Sequence, residues 1–255
     1  GALFACGLAA EGMKPYIAIY STFMQRCIDM IQHDAALQKL PVRFCMDRAG
    51  LSPDDGPTHH GLFDIAMIRS IPNIVFMQPK DEAEFVHMLR TMNHYQNGPT
   101  VIRYPRGCGA GTPVPAKAEI LPIGKAEVLQ TGQDVTLVSL GTMIGIARET
   151  ASLLEARGYT VTLINARFIK PLDDECIRRH AARSRVVCTF EDHSISGGFN
   201  SAVLESLETG NVKTPVEAIA WPDQFIEHGS ESILRKKYGL TAEAALQKII
   251  PHLNS

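Results

Sequence analysis

Short apolar runs alternate along this chain with segments in which apolar residues recur at helical spacing. The apolar runs predict eight strands, at residues 16–20, 42–47, 74–78, 100–103, 135–140, 160–165, 185–191 and 216–219. The amphipathic segments predict helices, notably at residues 23–38, 81–96, 144–157 and 173–182, with further helices after Gly197-Gly198, Gly229 and Thr241. Alternation of this kind is typical of βαβ units. It predicts an α/β fold made of mostly parallel sheets flanked by helices.

The alternation breaks once, after Tyr104-Pro-Arg-Gly107. Residues 107–121 are rich in glycine and proline, which disfavours any regular element there. The run Gly107-Cys-Gly-Ala-Gly111 does not predict a dinucleotide-binding loop, because Thr-Pro-Val-Pro follows where a helix would have to begin. We interpret this stretch as a linker. The chain then divides into a domain at residues 1–112 and a second domain, including the linker, at residues 113–255.

Composition excludes several classes of partner. The net charge is -2, with 25 basic and 27 acidic residues, and no basic surface for nucleic acid or an anionic membrane is indicated. The first 12 residues are apolar but lack the basic start of a signal peptide and are too short to span a bilayer. The six cysteines form no CxxC pair and no zinc-site spacing, so we expect buried thiols in a reducing, cytoplasmic compartment.

Acidic and histidine side chains cluster in Asp54-Asp55-Gly56-Pro57-Thr58-His59-His60-Gly61, between a predicted strand and a predicted helix. Catalytic residues of open parallel sheets gather at such positions. A polar turn in which Thr58 caps the helix explains the same residues equally well. A metal site is disfavoured, because adjacent histidines diverge in direction and no third ligand lies at a familiar spacing. Nucleophilic catalysis has little support, since no serine lies in a nucleophile-elbow sequence and no cysteine has an adjacent histidine to act as its base.

Two arginines each follow a predicted strand of the first domain. Arg48 lies in Asp47-Arg-Ala-Gly and Arg106 in Tyr104-Pro-Arg-Gly. Either one alone would be an ordinary surface charge. Because the ends of parallel strands meet at one edge of a sheet, the two together predict bidentate binding of a phosphate, and hence an anionic substrate.

These motifs, in this order, resemble one family. The strings that carry the resemblance in the first domain are Gly7-Leu-Ala-Ala-Glu-Gly-Met-Lys-Pro, Ala18-Ile-Tyr-Ser-Thr-Phe-Met-Gln-Arg, Gln38-Lys-Leu-Pro-Val, Asp47-Arg-Ala-Gly, Asp55-Gly-Pro-Thr-His and Arg103-Tyr-Pro-Arg-Gly. In the second domain they are Gly141-Thr, Ala166-Arg-Phe-Ile-Lys-Pro-Leu-Asp and Pro222-Asp-Gln-Phe-Ile-Glu-His-Gly. They resemble the pyrimidine-binding and C-terminal domains of transketolase-like, thiamine-diphosphate-dependent enzymes, and within these the 1-deoxy-D-xylulose-5-phosphate synthases.

The resemblance implies a chemistry and a set of residue roles. The reaction would be the decarboxylation of pyruvate and condensation of the remaining two carbons with glyceraldehyde 3-phosphate, with thiamine diphosphate and Mg²⁺ as cofactors and a homodimer as the working form. It implies that Phe23 stacks on the cofactor's pyrimidine, that Tyr20 and Arg26 line the same pocket, and that Asp55 and His59 lie near the reacting carbons. The phosphate of the acceptor would be bound by Arg48 and Arg106.

The start of the chain departs from the family pattern. The resemblance implies that an activating glutamate would lie just before Gly1, and that a domain with the metal and diphosphate ligands would precede it. We therefore expect a fragment of a longer protein that is inactive alone. Two alternatives remain open at this point: the β subunit of a 2-oxo-acid dehydrogenase E1, which shares the two-domain architecture, and a non-catalytic dimerisation module.

Overall fold

A computed structural model describes residues 1–254 and contains two five-stranded sheets. The strands of the first part of the chain are β1 (Tyr16–Tyr20), β2 (Arg43–Asp47), β3 (Val75–Met77) and β4 (Thr100–Arg103). Those of the second part are β5 (Glu127–Gln130), β6 (Val135–Ser139), β7 (Val161–Asn165), β8 (Phe168–Lys170), β9 (Val186–Ser194) and β10 (Val216–Trp221). The prediction of two mostly parallel sheets flanked by helices is confirmed.

The helices cover the faces of these sheets. They are α1 (Ala2–Ala10), α2 (Ser21–Met24), α3 (Asp64–Ile68), α4 (Glu82–His94), α5 (Ile144–Glu155), α6 (Asp174–Ala181), α7 (Phe199–Thr209), α8 (Glu231–Lys237) and α9 (Ala242–Leu253). Asp81 caps α4 by accepting a hydrogen bond from the Glu84 amide, and Asp173 caps α6 through the Cys176 amide. These local side-chain caps explain why both helices begin where the sequence predicts.

The first sheet has the strand order β1-β2-β4-β3-β8. Its first four strands are parallel, so their carboxyl ends meet at one edge, whereas β8 pairs antiparallel with β3. The second sheet has the order β10-β9-β6-β7-β5 and is parallel apart from β5. Residues 107–121 between the two sheets contain no helix or strand.

Strand β8 was not predicted, and it comes from the second part of the chain to complete the first sheet. It is only three residues long, and its partner β3 lies some ninety residues earlier. The apolar packing is shared in the same way: one continuous buried cluster contains Phe76 of β3 together with Ile177 and Phe199 of α6 and α7. The two parts of the chain are therefore joined by a common sheet edge and a common core.

The prediction of one regular helix at residues 23–38 is wrong. The segment consists of α2, a 3₁₀ turn (Gln25–Cys27) and a π-helix (Met30–Ala36). Tertiary hydrogen bonds fix its first turn, from the Ser21 hydroxyl to Asp64 and from the Thr22 hydroxyl to the Thr58 carbonyl. These contacts with distant residues cannot be predicted from the periodicity of the sequence.

None of the helices in residues 1–254 combines the length and the apolar character that a bilayer crossing would need. All six cysteines are free thiols, and four of them are buried.

Candidate active site

The acidic and histidine residues lie in a closed loop, residues 51–60, at the carboxyl edge of the first sheet. Gly50 and Gly61 pair across its base, with Gly50 N donating to the Gly61 carbonyl at 2.9 Å and Gly61 N to the Gly50 carbonyl at 2.8 Å. Glycine is required on both sides. Gly50 has a φ of +86°, and a Cβ at Gly61 would lie 2.5 Å from the Ser21 hydroxyl. The loop thus leaves and returns at one fixed point.

Arg48 leaves the end of β2 in a left-handed conformation, with a φ of +52°. The Asp47 carboxylate accepts a 2.7 Å hydrogen bond from the Arg48 amide, which supports this turn. The guanidinium then lies 4.2 Å from the centre of the Tyr20 ring, within the range of a cation–π contact. The turn at the end of β2 therefore directs Arg48 across the sheet edge towards β1.

Both arginines reach the same carboxylate oxygen. Asp55 Oδ2 accepts hydrogen bonds from Arg48 Nη1 at 2.5 Å and from Arg106 Nη1 at 3.1 Å. Arg106 Nη1 is also 3.6 Å from Asp54 Oδ2. The structure thus brings Arg48 and Arg106 together on one anionic oxygen, which has the charge of a phosphate oxygen.

An aromatic face lies beside this pair of arginines. The rings of Tyr20 and Phe23 stack at a centroid separation of 5.6 Å, and the His59 ring meets Phe23 edge-on at 5.4 Å. Phe23 is 39% exposed, which is unusual for a large apolar side chain beside polar groups. An exposed, braced aromatic ring of this kind suits stacking on a planar ligand.

His59 has one ring nitrogen engaged and one open. Its Nδ1 lies 2.9 Å from the Thr58 hydroxyl, while its Nε2 meets no partner within residues 1–254. The backbone of Thr58 is itself held by the Thr22 hydroxyl. An oriented imidazole with an open nitrogen is suited to transferring a proton to or from a ligand.

Arg26 makes no polar contact with these residues. It lies in the 3₁₀ turn after α2, it is exposed, and it makes no hydrogen bond or ion pair within the described part of the chain. The pocket-lining role that the resemblance implies for Arg26 therefore has no supporting contact.

Residues of the second part of the chain form hydrogen bonds to the loop 51–60. His60 is buried, with Nδ1 accepting from the Ser52 amide at 3.0 Å and Nε2 facing the Glu227 carbonyl at 3.3 Å. The Gly229 amide donates to the Pro53 carbonyl at 3.1 Å. His60 is therefore a structural residue, whereas its neighbour His59 faces outwards.

Sequence reasoning missed a buried polar network between the two sheets. The Arg103 side chain is completely buried and donates to Asp64 Oδ2 at 2.9 Å and to Gln78 Oε1 at 2.6 Å. Its Nη2 donates to the carbonyls of Gly61 and Asp192, both at 3.2 Å. A signal was present in the acidic run Glu191-Asp-His193 at the end of an apolar strand, because such charges are buried only when paired.

Two further ionisable residues of this region are buried beside the network. The imidazole of His193 donates from Nδ1 to the Ser194 carbonyl at 2.7 Å and accepts at Nε2 from the Ala66 amide at 3.3 Å, and burial lowers its pKa to about 4. Glu191 accepts from the amides of Phe199 and Asn200 at the start of α7, and burial raises its pKa to about 8. His193 is therefore neutral near pH 7.

Acid should reduce the contribution of His193 to the stability of this junction. Unfolding restores the ordinary pKa of 6.5, so the unfolded chain binds the proton first and stability falls as pH drops from about 6.5 to about 4. We expect a loss of roughly 2 kcal/mol between pH 7 and pH 5 from this residue. Urea unfolding of wild type and His193→Asn at both pH values measures it. Glu191 acts in the opposite direction, since its raised pKa favours folding at low pH, but it is common to both proteins. Equal pH dependence in the two would contradict the assignment.

The site offers an aromatic face, the exposed Phe23 ring backed by Tyr20. No group of three or more acidic, histidine or cysteine side chains that could hold a metal ion occurs in residues 1–254.

Two family models match most of the chain. Residues 2–110 match the transketolase pyrimidine-binding domain, and residues 124–244 match the transketolase C-terminal domain. The fold is similar to that of a solved structure described as "Split gene transketolase, inactive beta4 tetramer", with a TM-score of 0.87, 31% identity, and coverage of 98% of this chain and 80% of that chain. Transketolase from Campylobacter jejuni subsp. jejuni NCTC 11168 shares the fold at a TM-score of 0.78 and 19% identity. The chain belongs to the transketolase family of thiamine-dependent enzymes.

Within that family the sequence is similar to proteins of one name. The 1-deoxy-D-xylulose-5-phosphate synthase of Methylacidiphilum infernorum is 52% identical over 256 aligned positions, which cover 99% of this chain and 40% of the relative. That of Acidobacterium capsulatum is 52% identical over 252 positions, covering 98% of this chain and 40% of the relative. The chain thus spans about two fifths of the length of these relatives. The two alternatives, an E1 β subunit and a dimerisation module, are not favoured.

Proposed function

We propose that the complete protein is a 1-deoxy-D-xylulose-5-phosphate synthase, a transferase that condenses pyruvate with glyceraldehyde 3-phosphate and releases CO₂. Its product would enter isoprenoid biosynthesis. The observation that carries the proposal is the convergence of Arg48 and Arg106 on one anionic oxygen, next to the exposed Phe23 ring. A site of this kind accommodates a phosphorylated acceptor and a planar cofactor side by side.

The cofactor of this proposal is thiamine diphosphate with Mg²⁺. Phe23 would stack on the pyrimidine, Tyr20 would support Phe23 from behind, and Arg26 would line the outer edge of the pocket. The bound cofactor supplies the electron sink for decarboxylation, which no side chain of this chain can provide. Ligands for the metal and the diphosphate would come from a region of the complete protein outside this chain.

The protein's own residues would bind the acceptor and move protons. The phosphate would replace the Asp55 carboxylate between Arg48 and Arg106, which frees Asp55 to approach the reacting carbons. His59 presents its open Nε2 on the same rim, and it would donate a proton to the developing alkoxide or remove one. The carboxylate, the imidazole and the arginine pair would thus act on one bound acceptor.

Loss of one arginine should weaken the acceptor selectively. A charge-assisted hydrogen bond contributes roughly 1.5 to 3 kcal/mol, so Arg48→Ala in the complete enzyme should lower kcat/KM for glyceraldehyde 3-phosphate by about 10- to 150-fold. The KM for pyruvate should change little. Steady-state kinetics with each substrate varied in turn measure this. Arg157→Ala, at an exposed position after α5, is the control. An unchanged kcat/KM for the phosphorylated acceptor in Arg48→Ala would rule out the phosphate clamp.

We also propose a homodimer, with α1 at the contact. Leu3 and Phe4 on this helix are 59% and 73% exposed, and neighbouring apolar side chains of this size indicate an interaction surface. The similar split-gene transketolase is described as a β4 tetramer, so that relative self-associates. Light scattering of this chain should give a mass of twice 27.9 kDa or more, and Phe4→Glu should shift it towards the monomer. A monomer mass for the wild-type chain at working concentration would count against the proposal.

A cytoplasmic location is part of the same proposal. It is supported by the six free cysteines, because unpaired thiols persist in reducing compartments.

A further inference from the structure

The loop that carries Asp55 and His59 is held at both ends by two buried residues, Arg103 of the first sheet and Asp192 of the second. At its start, the Leu51 amide donates to Asp192 Oδ2 at 3.4 Å. At its end, the Gly61 carbonyl accepts from Arg103 Nη2 at 3.2 Å, and the same Nη2 donates to the Asp192 backbone carbonyl at 3.2 Å. The two ends of the loop are therefore bound to one residue pair, Arg103 and Asp192.

The Asp192 carboxylate is itself fixed on every side. Its Oδ1 accepts from the indole Nε1 of Trp221 at 2.6 Å, and its Oδ2 from Arg235 Nη2 at 3.3 Å. A Cβ at Gly50 would lie 2.3 Å from Asp192 Oδ2, so the base of the loop lies directly against the carboxylate. Asp192 is 3% exposed. Because a buried carboxylate held by three donors does not shift alone, the base of the loop is held in place with it.

Arg103 connects the same point to the aromatic face. Its Nε donates to Asp64 Oδ2, and that oxygen also accepts from the Ser21 hydroxyl at 3.0 Å. Ser21 is the first residue of α2, two residues before Phe23. The buried Arg103 guanidinium thus connects two parts of the site through hydrogen bonds. These are the loop that carries Asp55 and His59 and the helix that carries Phe23.

We propose that Asp192, acting with Arg103, is a positioning residue that sets the loop 51–60 relative to Phe23, so that the second domain places the proton-transfer and phosphate-binding groups of the first. The expected effect of Asp192 on turnover rests on the proposed function, whereas the expected effect of Asp192 on the loop does not. Asp192 touches neither Asp55 nor His59, and it acts through the loop ends.

The test on this chain is hydrogen–deuterium exchange, read by mass spectrometry, in Asp192→Asn. The amide of asparagine keeps the shape but can accept from Trp221 or from Leu51 and Arg235, not from all three. Exchange in the peptide covering residues 51–61 should rise at least about 10-fold, with the strands of both sheets unchanged. Trp221 is the one tryptophan of the sequence, so its emission spectrum should shift at the same time.

The matched control is Asp173→Asn. Asp173 is also a buried aspartate that accepts from backbone amides, those of Ala126 and Cys176, but it lies away from the loop. The Asp173→Asn variant should raise hydrogen–deuterium exchange around the Ala126 and Cys176 amides and leave residues 51–61 protected. If Asp192→Asn unfolds the chain, Arg235→Lys replaces it as the test variant. Arg235 is 17% exposed and lysine retains the charge, so this variant disturbs the fold less. Protection of residues 51–61 unchanged in the folded variants, or lost equally in Asp173→Asn, overturns the proposal.

In the complete enzyme, Asp192→Asn should lower kcat about 10-fold or more, and Asp192→Glu should not restore it, because the longer side chain would displace Gly50. Asp173→Asn should retain the wild-type kcat. A mobile loop with unchanged turnover would also overturn the positioning role. A wild-type enzyme without synthase activity would instead refute the proposed function, while the exchange result would stand.

Discussion

Replacing His59 by alanine in the complete enzyme is expected to lower kcat by about 10²- to 10⁴-fold, the usual contribution of a positioned acid or base. The expectation rests on the open Nε2 of His59, its edge-on contact with Phe23, and the fixing of Nδ1 by Thr58. Single-turnover kinetics with saturating pyruvate and acceptor measure the loss directly, free of product release.

His94→Ala is the control for His59→Ala. His94 is an exposed histidine at the end of α4, so its loss removes an imidazole without touching the site. A wild-type kcat with a raised KM in His59→Ala would show that the imidazole binds substrate without transferring a proton.

The chain of 255 residues on its own is expected to show no detectable decarboxylation of pyruvate and no tight binding of thiamine diphosphate. Most of the cofactor's charge is on its diphosphate, which proteins hold through a magnesium ion with carboxylate and carbonyl ligands. Residues 1–254 contain no such cluster. Stacking on a single ring such as Phe23 contributes only about 0.5 to 1.5 kcal/mol beyond area burial, which is far less than the entropy lost on association.

Titration calorimetry with the cofactor and Mg²⁺, together with an assay of CO₂ release, tests this second expectation. The complete protein at the same concentration is the positive control, and Phe23→Ala in the complete protein reports the contribution of the ring. Micromolar binding and measurable turnover by the 255-residue chain would mean that its own residues carry the diphosphate site after all.

Local sequence patterns predicted the strands and helices whose formation depends on local interactions. The apolar runs predicted the central strands to within a few residues, because a buried parallel strand must be apolar on both faces. The caps Asp81 and Asp173 marked the starts of their helices for an equally local reason. The edge strand β8 was missed, because three residues carry no period and their pairing partner is about ninety residues away.

The sequence also located the polar residues at the edge of the first sheet. Arg48, Asp55, His59 and Arg106 all follow strands or lie in the loop between them, and parallel topology brings the ends of such strands together. The sequence did not determine what each residue contacts there. Its residue pattern left a polar turn and a catalytic loop equally favoured, and only the resemblance to a known family separated His59 from His60.

Tertiary structure determines the contacts of these residues, because the contacts come from distant segments. Glu227 holds His60 inward, while Thr22 holds the Thr58 backbone that orients His59. Asp192 and Arg103, separated by 89 residues, meet at the base of the loop. The chain by itself specified most of the strands and helices and the edge where polar groups gather. The geometry of the site was set only when two sheets buried a shared network of charges, since a buried charge must find its partners wherever folding brings them.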